Sequence, residues 1–496
     1  MKIVHLFVFL VLVYSSSGSS PSEGNPYRDL LVDWEKTATP YSIASQQARD
    51  DLRTLAKILY GGYAGLEIRR EEGFDWKSHF GRLDETVAGQ DRWRPSQLAE
   101  LLVAELSGLD DRHFGFFVEE GGNRKWFPAT PERGVFFADI LFTAAKGGLF
   151  LVTGTGSGKS ESLLGTVLDK VNGEPPKKWL YPTSPDQEGQ KRFLVGRMKE
   201  TQPAPLVLTL KNRQGQAVEV ALPLHRCRVR LQRTSGRAFR LTRVPFPRIE
   251  LGSFEASRSD ELEPFLQTAE DLSEEPLVVV DLRGNPGGRD SYGKAWLERL
   301  TGGNPESWKV RELVSPVTLQ GDVNLHEWLL RGVSQTAAKQ EIGGRLAHFR
   351  KRLEEAEKES LKRTWTNPAA SLSAETSEPD RHSERSGEWR GRLVVLVDGG
   401  TRSSAETFVL LAEQIPGTVV VGENTGGMMR FGEVKLYRLP HSGIWVQAGS
   451  KVFEDPSGGY REAVGFLPDY WLDDSHPISS ISRWLGGGET LSGVAD

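Results

Sequence analysis

Two stretches, Asp51 to Gly65 and Pro95 to Leu106, repeat apolar residues at three- and four-residue spacing, which predicts amphipathic helices. Farther along the rhythm changes. Leu206 to Leu224 alternates apolar and polar residues across Gln214-Gly215, the pattern of a β-hairpin. Three short runs, Leu277 to Val280, Leu393 to Val397 and Val419 to Val421, are apolar without alternation and predict strands buried on both faces. Strands of that kind mixed with helices predict an α/β fold. Between the first two runs, His348 to Arg363 is charged almost throughout, with (i, i+4) pairs such as Glu354 and Lys358. A Ser, Thr, Asp and Glu-rich stretch follows it to Arg390, so this part predicts a solvated helix and then a mobile loop.

These changes divide the chain. Residues 22–128 are expected to be a helical N-terminal domain and 129–225 a β-rich domain. Residues 226–319 and 391–475 would form the α/β core, 320–390 a charged insertion within it, and 476–496 a tail. A length of 496 residues fits about three such units. The 38% hydrophobic content can fill their cores, and the net charge of -5 offers no basic field for nucleic acid. Residues 1–18 read as a signal peptide, with Lys2, an apolar run from Ile3 to Tyr14 and then small residues. That run is too short to span a bilayer, and no other stretch approaches the ~20 apolar residues needed. A secreted or periplasmic protein without stable membrane insertion is expected. Cys227 stands alone, so no intramolecular disulfide forms, and a buried apolar role suits it. His79, His225, His326, His348, His382, His441 and His476 show no metal-ligand spacing; neither a metal nor another cofactor is expected.

The candidate chemistry starts at GTRSSAETFV, Gly400 to Val409, where the run Leu393 to Val397 gives way to a helix. A serine at such an exit has an exposed hydroxyl beside the positive end of a helix, as an acyl-transfer nucleophile requires. The alternative is a plain N-cap. After the other buried run, PLVVVDLRGNPGG, Gly287 and Gly288 would let bare backbone N–H groups approach a ligand, as an oxyanion hole needs. LVTGTGSGKSE, Leu151 to Glu161, looks like a phosphate-binding loop but has Thr153 where the first glycine should stand. No nucleotide is expected there.

Four segments in order, DLRGNPGG (Asp281 to Gly288), SSAE (Ser403 to Glu406), GENTGG (Gly422 to Gly427) and GFLPD (Gly465 to Asp469), resemble the C-terminal-processing, or tail-specific, serine peptidases from about Phe246 to Asp473. The resemblance implies a ClpP/crotonase-like catalytic core. It places the nucleophile three positions before Glu406, at Ser403, and the oxyanion donors at Ser404 and at Gly287 or Gly288. One branch of the family uses a Ser-Lys dyad, but Met428 holds the lysine's place, and a thioether cannot accept a proton. The other branch, resembling the tricorn protease core and the chlamydial secreted protease, takes a histidine from a D-x-H segment and a glutamate from E-x-x-G-x-x-P-D. Asp111-Arg112-His113 and Glu462 to Asp469 match those patterns. The resemblance therefore implies a serine endopeptidase with a Ser403, His113, Glu462 triad, acting on polypeptide, with homo-oligomerisation left open. Each residue has a plainer reading: His113 as a half-buried cation closing a helix, Glu462 as the partner of Arg461, and Arg402 as a solvated charge.

Leu163 to Pro176 resembles the core of PDZ domains and the hairpin Leu206 to Leu224 the end of one, so residues 129–225 are expected to be PDZ-like, with Gly147, Gly148, Leu149 and Phe150 as the carboxylate-binding loop and edge strand. A scaffold without peptide binding is the other reading of this part. The alternative for the whole chain is an inactive member of the same fold that binds a peptide or hydrophobic ligand.

Overall fold

The computed structural model describes residues 27, 30–35, 38–155, 162–186, 188–230, 236–333, 336–367 and 389–485. The expected leader, residues 156–161 of the loop-like motif and 368–388 of the expected mobile loop lie outside the described residues, as does the tail beyond 485.

The strand Leu277–Asp281 pairs in parallel with Arg392–Val397, which pairs in parallel with Val419–Gly422. Alternate side chains of these strands point into two different cores. Val278, Val280, Leu393 and Val395 join one that includes Phe254, Trp296 and Phe408, while Val279, Val394 and Leu396 join another with Val135, Phe137 and Trp471. Both faces are dry, which is why the runs carry no polar alternation; each buried valine contributes about 1.5–3 kcal/mol. Arg248–Leu251 and Tyr470–Trp471 extend the parallel sheet, and Phe239–Thr242 adds an antiparallel edge, giving six strands.

A second, antiparallel sheet is built from both ends of the chain. Its order is Thr364–Thr366, Lys309–Val314, Trp445–Glu454, Gly115–Glu120, Asn123–Pro128, with Phe431–Arg438 also paired to Trp445–Glu454. The helices Ser45–Gly62 and Pro95–Leu106 form where the apolar periodicity places them, and a further helix, Trp76–Ala88, lies between them. Leu55, Leu59, Leu98 and Leu102 share one core with Phe116, Tyr437 and Val446 of this sheet. The first 128 residues are therefore not a purely helical unit: their last two strands complete a sheet begun elsewhere.

The insertion is more ordered than its charge suggests. The helix Pro316–Gly332 runs across the boundary expected after residue 319, and Thr336–Lys358 folds back on it around Leu319, Val323, Leu346, Leu353 and Ala356. Thr364–Thr366 then returns to the antiparallel sheet.

Residues 134–226 supply an eight-stranded antiparallel sheet, including the hairpin Leu206–Lys211 with Ala217–Leu222. The peptide-capturing loop expected at Gly147, Gly148, Leu149 and Phe150 is a hairpin turn. Ala144 pairs with Phe150 and Ala145 with Leu149, and both glycines take positive φ, 75° and 76°. The strand Leu149–Thr155 has neighbours on both sides, Gly134–Ala145 and Val167–Val171, so its backbone is not the free edge that peptide addition requires.

Candidate active site

The turns that leave Leu277–Asp281 and Arg392–Val397 are locked together at the C-terminal edge of the parallel sheet, where open α/β sheets bind ligands. Asp398 Oδ1 accepts from Gly284 N (2.9 Å) and Gly400 N (2.8 Å), Arg402 N donates to Asn285 O (2.9 Å), and Thr401 Oγ1 donates to Leu282 O (2.9 Å). Between the turns Ser403 adopts φ 52°, ψ -124°, a conformation costly for a residue with a side chain. It holds the N-cap position of the helix Ser404–Ala412, yet its hydroxyl caps nothing and makes no hydrogen bond among the described residues. The plain-cap alternative does not describe it.

Gly287 passes so close that a Cβ there would stand 2.7 Å from Ser403 Cβ; at Gly288 it would stand 2.1 Å from the Phe254 carbonyl carbon. Both positions exclude side chains. The two amides differ: Gly287 N donates to Asn285 Oδ1 (2.9 Å), whereas Gly288 N and Ser404 N find no partner among the described residues. Ser404 Oγ donates to Gly288 O (2.8 Å) and so fixes the orientation of that glycine's carbonyl.

Glu406, one turn into the helix and completely buried, joins two of the motifs. Its Oε1 accepts from Thr425 Oγ1 (2.6 Å) and Gly427 N (2.8 Å), its Oε2 from Ser403 N (3.2 Å) and Met428 N (2.8 Å). Burial pushes its pKa up to about 7 against the pull of these donors. Thr425 in turn exchanges hydrogen bonds with Phe466, and Ala463 N donates to Gly427 O (2.9 Å).

His113 lies between the helix Pro95–Leu106 and the strand Gly115–Glu120, beyond the end of the helix, so its role as a helix-closing cation falls away. Asp111 Oδ1 accepts from His113 N (2.8 Å) and Phe114 N (3.1 Å), and Gln447 Nε2 donates to His113 O (2.9 Å). The buried Nδ1 has no hydrogen-bond partner among the described residues. Burial drives the ring's pKa down to about 4; the adjacent Phe431 backbone pulls it up, and the charges of Arg112 and Arg402 add to the fall. The imidazole is neutral near pH 7.

Glu462 bonds not to the ring of His113 but to the backbone that carries it. Oε1 accepts from Arg112 N (3.0 Å), and Oε2 accepts from Met429 N (3.2 Å), Arg430 N (2.8 Å) and Tyr460 Oη (2.8 Å). Arg461 is not its partner. Burial raises the pKa of Glu462 above the usual carboxylate range. Asp111 rises to about 7 through its own burial and then the charge of Glu462.

Arg402, expected to be a solvated charge, donates to Glu132 Oε2 (2.6 Å), while the buried Arg112 donates to Gly426 O (2.6 Å). One group among the described residues has metal-ligand potential: Asp139, His225 and Asp473, with donor atoms within 4.8 Å of one another. Arg228 already occupies it, 3.1 Å from Asp139 and 2.9 Å from Asp473. Sequence reasoning used Glu406 only to set the register of Ser403 and did not find Tyr460, Asp398 or Asn285. For Glu406 the S-x-x-E spacing of a capping box was the available signal.

Residues 248–472, the segment that carries Ser403, Glu406 and Glu462, match the model of peptidase family S41. No curated protein matches the chain. Among solved structures it is similar to mature CPAF at 16% identity, over 90% of this chain and 99% of that one, with a TM-score of 0.47. It is also similar to the photosystem II D1 C-terminal processing protease (14% identity, 90% and 97% covered, TM-score 0.35) and to the tricorn protease (11%, 82% and 33%, 0.29). The family match supports a serine peptidase. No described helix is long and apolar enough to cross a membrane.

Proposed function

We propose that this protein is a secreted or periplasmic serine endopeptidase that cleaves polypeptides through an acyl-enzyme at Ser403. The observation that carries the reading is the strained, uncapped Ser403 beside two unpartnered amides at a helix N-terminus. In this reading Ser403 Oγ attacks the scissile carbonyl carbon while the neutral His113 takes its proton. The oxyanion accepts from Ser404 N and Gly288 N, a contribution of roughly 3–4 kcal/mol per donor; Gly287 serves by its missing side chain, not by its amide. His113 returns the proton to the leaving amine, and water then hydrolyses the acyl-enzyme by the same path. Glu462 acts through the backbone of Arg112, as a positioning residue, and Tyr460 supports it. The eight-stranded sheet is a scaffold in this reading, and homo-oligomerisation plays no part in the chemistry. Labelling with a fluorophosphonate tests the proposal: wild type should be modified on Ser403 and the His113→Ala protein labelled far more slowly. A folded wild type that takes up no label would overturn it.

A further inference from the structure

Glu132 lies in the loop between the strands Asn123–Pro128 and Gly134–Ala145. Its carboxylate gathers arginines from three other parts of the chain. Oε2 accepts from Arg402 Nη2 (2.6 Å) and stands 3.8 Å from Arg112 Nη2, while Oε1 accepts from Arg226 Nη2 (2.5 Å) and from Arg230 Nη1. Arg112 is the residue before His113, and Arg402 the residue before Ser403. One oxygen is thus shared by the neighbours of the proposed base and the proposed nucleophile.

Both arginines are also fixed to the turns of the site. Arg112 Nη1 donates to Gly426 O (2.6 Å), and Gly426 N donates to Thr401 O (2.8 Å), two residues before Ser403. Arg402 Nε donates to Gly399 O (3.1 Å), and a Cβ at Gly426 would stand 2.4 Å from Arg402 Cγ. Held this close, the two guanidiniums repel, and Glu132 is the only carboxylate in ion-pair reach of either among the described residues. Arg230, by contrast, has a second one: its Nη2 donates to Glu423 Oε1 (3.0 Å). The side chains of Glu132 and Arg112 are only 21% and 8% exposed, so solvent ions screen them little. Burial would raise the pKa of Glu132, but Arg230, Arg402 and Arg112 hold it below the usual carboxylate range, and it stays ionised. Glu462 already ties the backbone of Arg112 to Met429 and Arg430. Glu132 makes a second tie, through side chains, from the same residue to the turn that carries Ser403.

We infer that Glu132 is a positioning residue of the reaction: by bridging Arg112 and Arg402 it sets the approach of His113 to Ser403. The inference rests on the peptidase reading above. Without the carboxylate the two cations face each other uncompensated, and a small separation of base and nucleophile slows proton transfer steeply while peptide binding is left alone. The test uses full-length protein, one peptide substrate and the rate of fluorophosphonate labelling, which needs the nucleophile and its base but no peptide subsites. Glu132→Gln keeps the shape and removes the charge. It should lower kcat about 10- to 100-fold and the labelling rate by a similar factor, with KM changed less than about threefold. Arg402→Gln should lose about three- to tenfold, and Glu132→Gln with Arg402→Gln no more than Glu132→Gln alone, because both remove one link. Glu67→Gln, which breaks a partly buried pair with Arg363, should leave kcat as it is. A Glu132→Gln protein that melts lower but keeps wild-type kcat and labelling overturns the inference, since the residue then serves the fold alone. Losses that multiply in the double variant overturn it too, as does a loss confined to KM. Should Glu132→Gln not fold by circular dichroism, Arg402→Gln decides, and unchanged kcat and labelling there would remove the bridge. A folded wild type that shows neither cleavage nor labelling overturns the peptidase reading and the bridge with it.

Discussion

The backbone N–H groups of Ser403 and Met428 meet on a single oxygen, Glu406 Oε2, at 3.2 and 2.8 Å. One buried carboxylate thus fixes the strained serine and the loop that follows GENTGG. The two residues are 25 positions apart (428 minus 403), and their spacing in the fold is set by this link.

The proposed register of the nucleophile can be tested by substituting each serine in turn. Ser403→Ala is expected to eliminate peptide hydrolysis and labelling while the fold is kept. Ser404→Ala retains the amide that faces the oxyanion but loses the 2.8 Å bond to Gly288 O, so a fall of about three- to tenfold in kcat with little change in KM is expected. Inactive Ser404→Ala beside active Ser403→Ala would reverse the assignment.

Glu462 is expected to act on geometry. Glu462→Gln puts an amide N–H₂ where one of two oxygens accepts, so at least one of the donors Arg112 N, Met429 N, Arg430 N and Tyr460 Oη loses its acceptor. Turnover should drop about 10- to 100-fold together with a lower Tm. Tyr460→Phe removes only one donor, and a loss of less than about tenfold is expected. A full-activity Glu462→Gln would remove the glutamate from the site.

What could be read in the sequence was whatever depends on neighbours along the chain. The strands Leu277–Asp281 and Arg392–Val397 were legible because burial on both faces leaves only apolar residues, and the hairpin from Leu206 to Leu222 because one wet face forces alternation. Ser403, Gly287 and Gly288 were legible as turns with required residue types. The link between Glu462 and Arg112 spans 350 positions and left no local trace. Gly147-Gly148 misled because paired glycines suit a ligand-binding loop and a hairpin turn equally. The boundary expected after residue 319 falls inside the helix Pro316–Gly332, whose buried residues include the polar Gln320, Asp322 and Asn324.

The pH dependence has two parts with opposite signs. Because the pKa of His113 falls to about 4, its base form persists into acid, and kcat/KM should hold more than half its plateau at pH 5.5, with a limb from this residue centred near 4. A limb near 6.5 would mean that water reaches the ring. Stability runs the other way. Asp111, Glu406, Glu413 and Glu423 rise to about 7 and Asp322 to about 6, each first through burial, so the folded state binds protons more tightly than the unfolded chain. Their contribution is fully present below the unfolded pKa values near 4 and is lost as pH rises through 6 to 7. His113 opposes this in part, because its lowered pKa favours folding as pH rises from 4 to 6.5. Tm of Ser403→Ala, which cannot digest itself, should therefore be higher at pH 5.5 than at pH 8. An increase in Tm with pH over that range would contradict the burial of these carboxyls.

The identity of the base can be tested by moving it. His113→Ala should lower kcat by about a thousandfold or more, since no other described group is expected to accept the Ser403 proton. In the Ser-Lys branch, from which the sequence departs at this position, the base stands where this chain has Met428, and here Glu406 holds residue 428 beside Ser403. A lysine stem reaches about 6 Å, enough to bring an amine to the serine from that position, and the charges of Arg112 and Arg402 nearby would favour its neutral form. Met428→Lys in the His113→Ala background is therefore expected to recover about tenfold or more of the lost activity. The kcat/KM optimum should move to alkaline pH, because the amine accepts a proton only after losing its own. Recovery without the alkaline shift would point to improved packing instead of a new base. Full activity in His113→Ala alone would sink the triad, whatever Met428→Lys does.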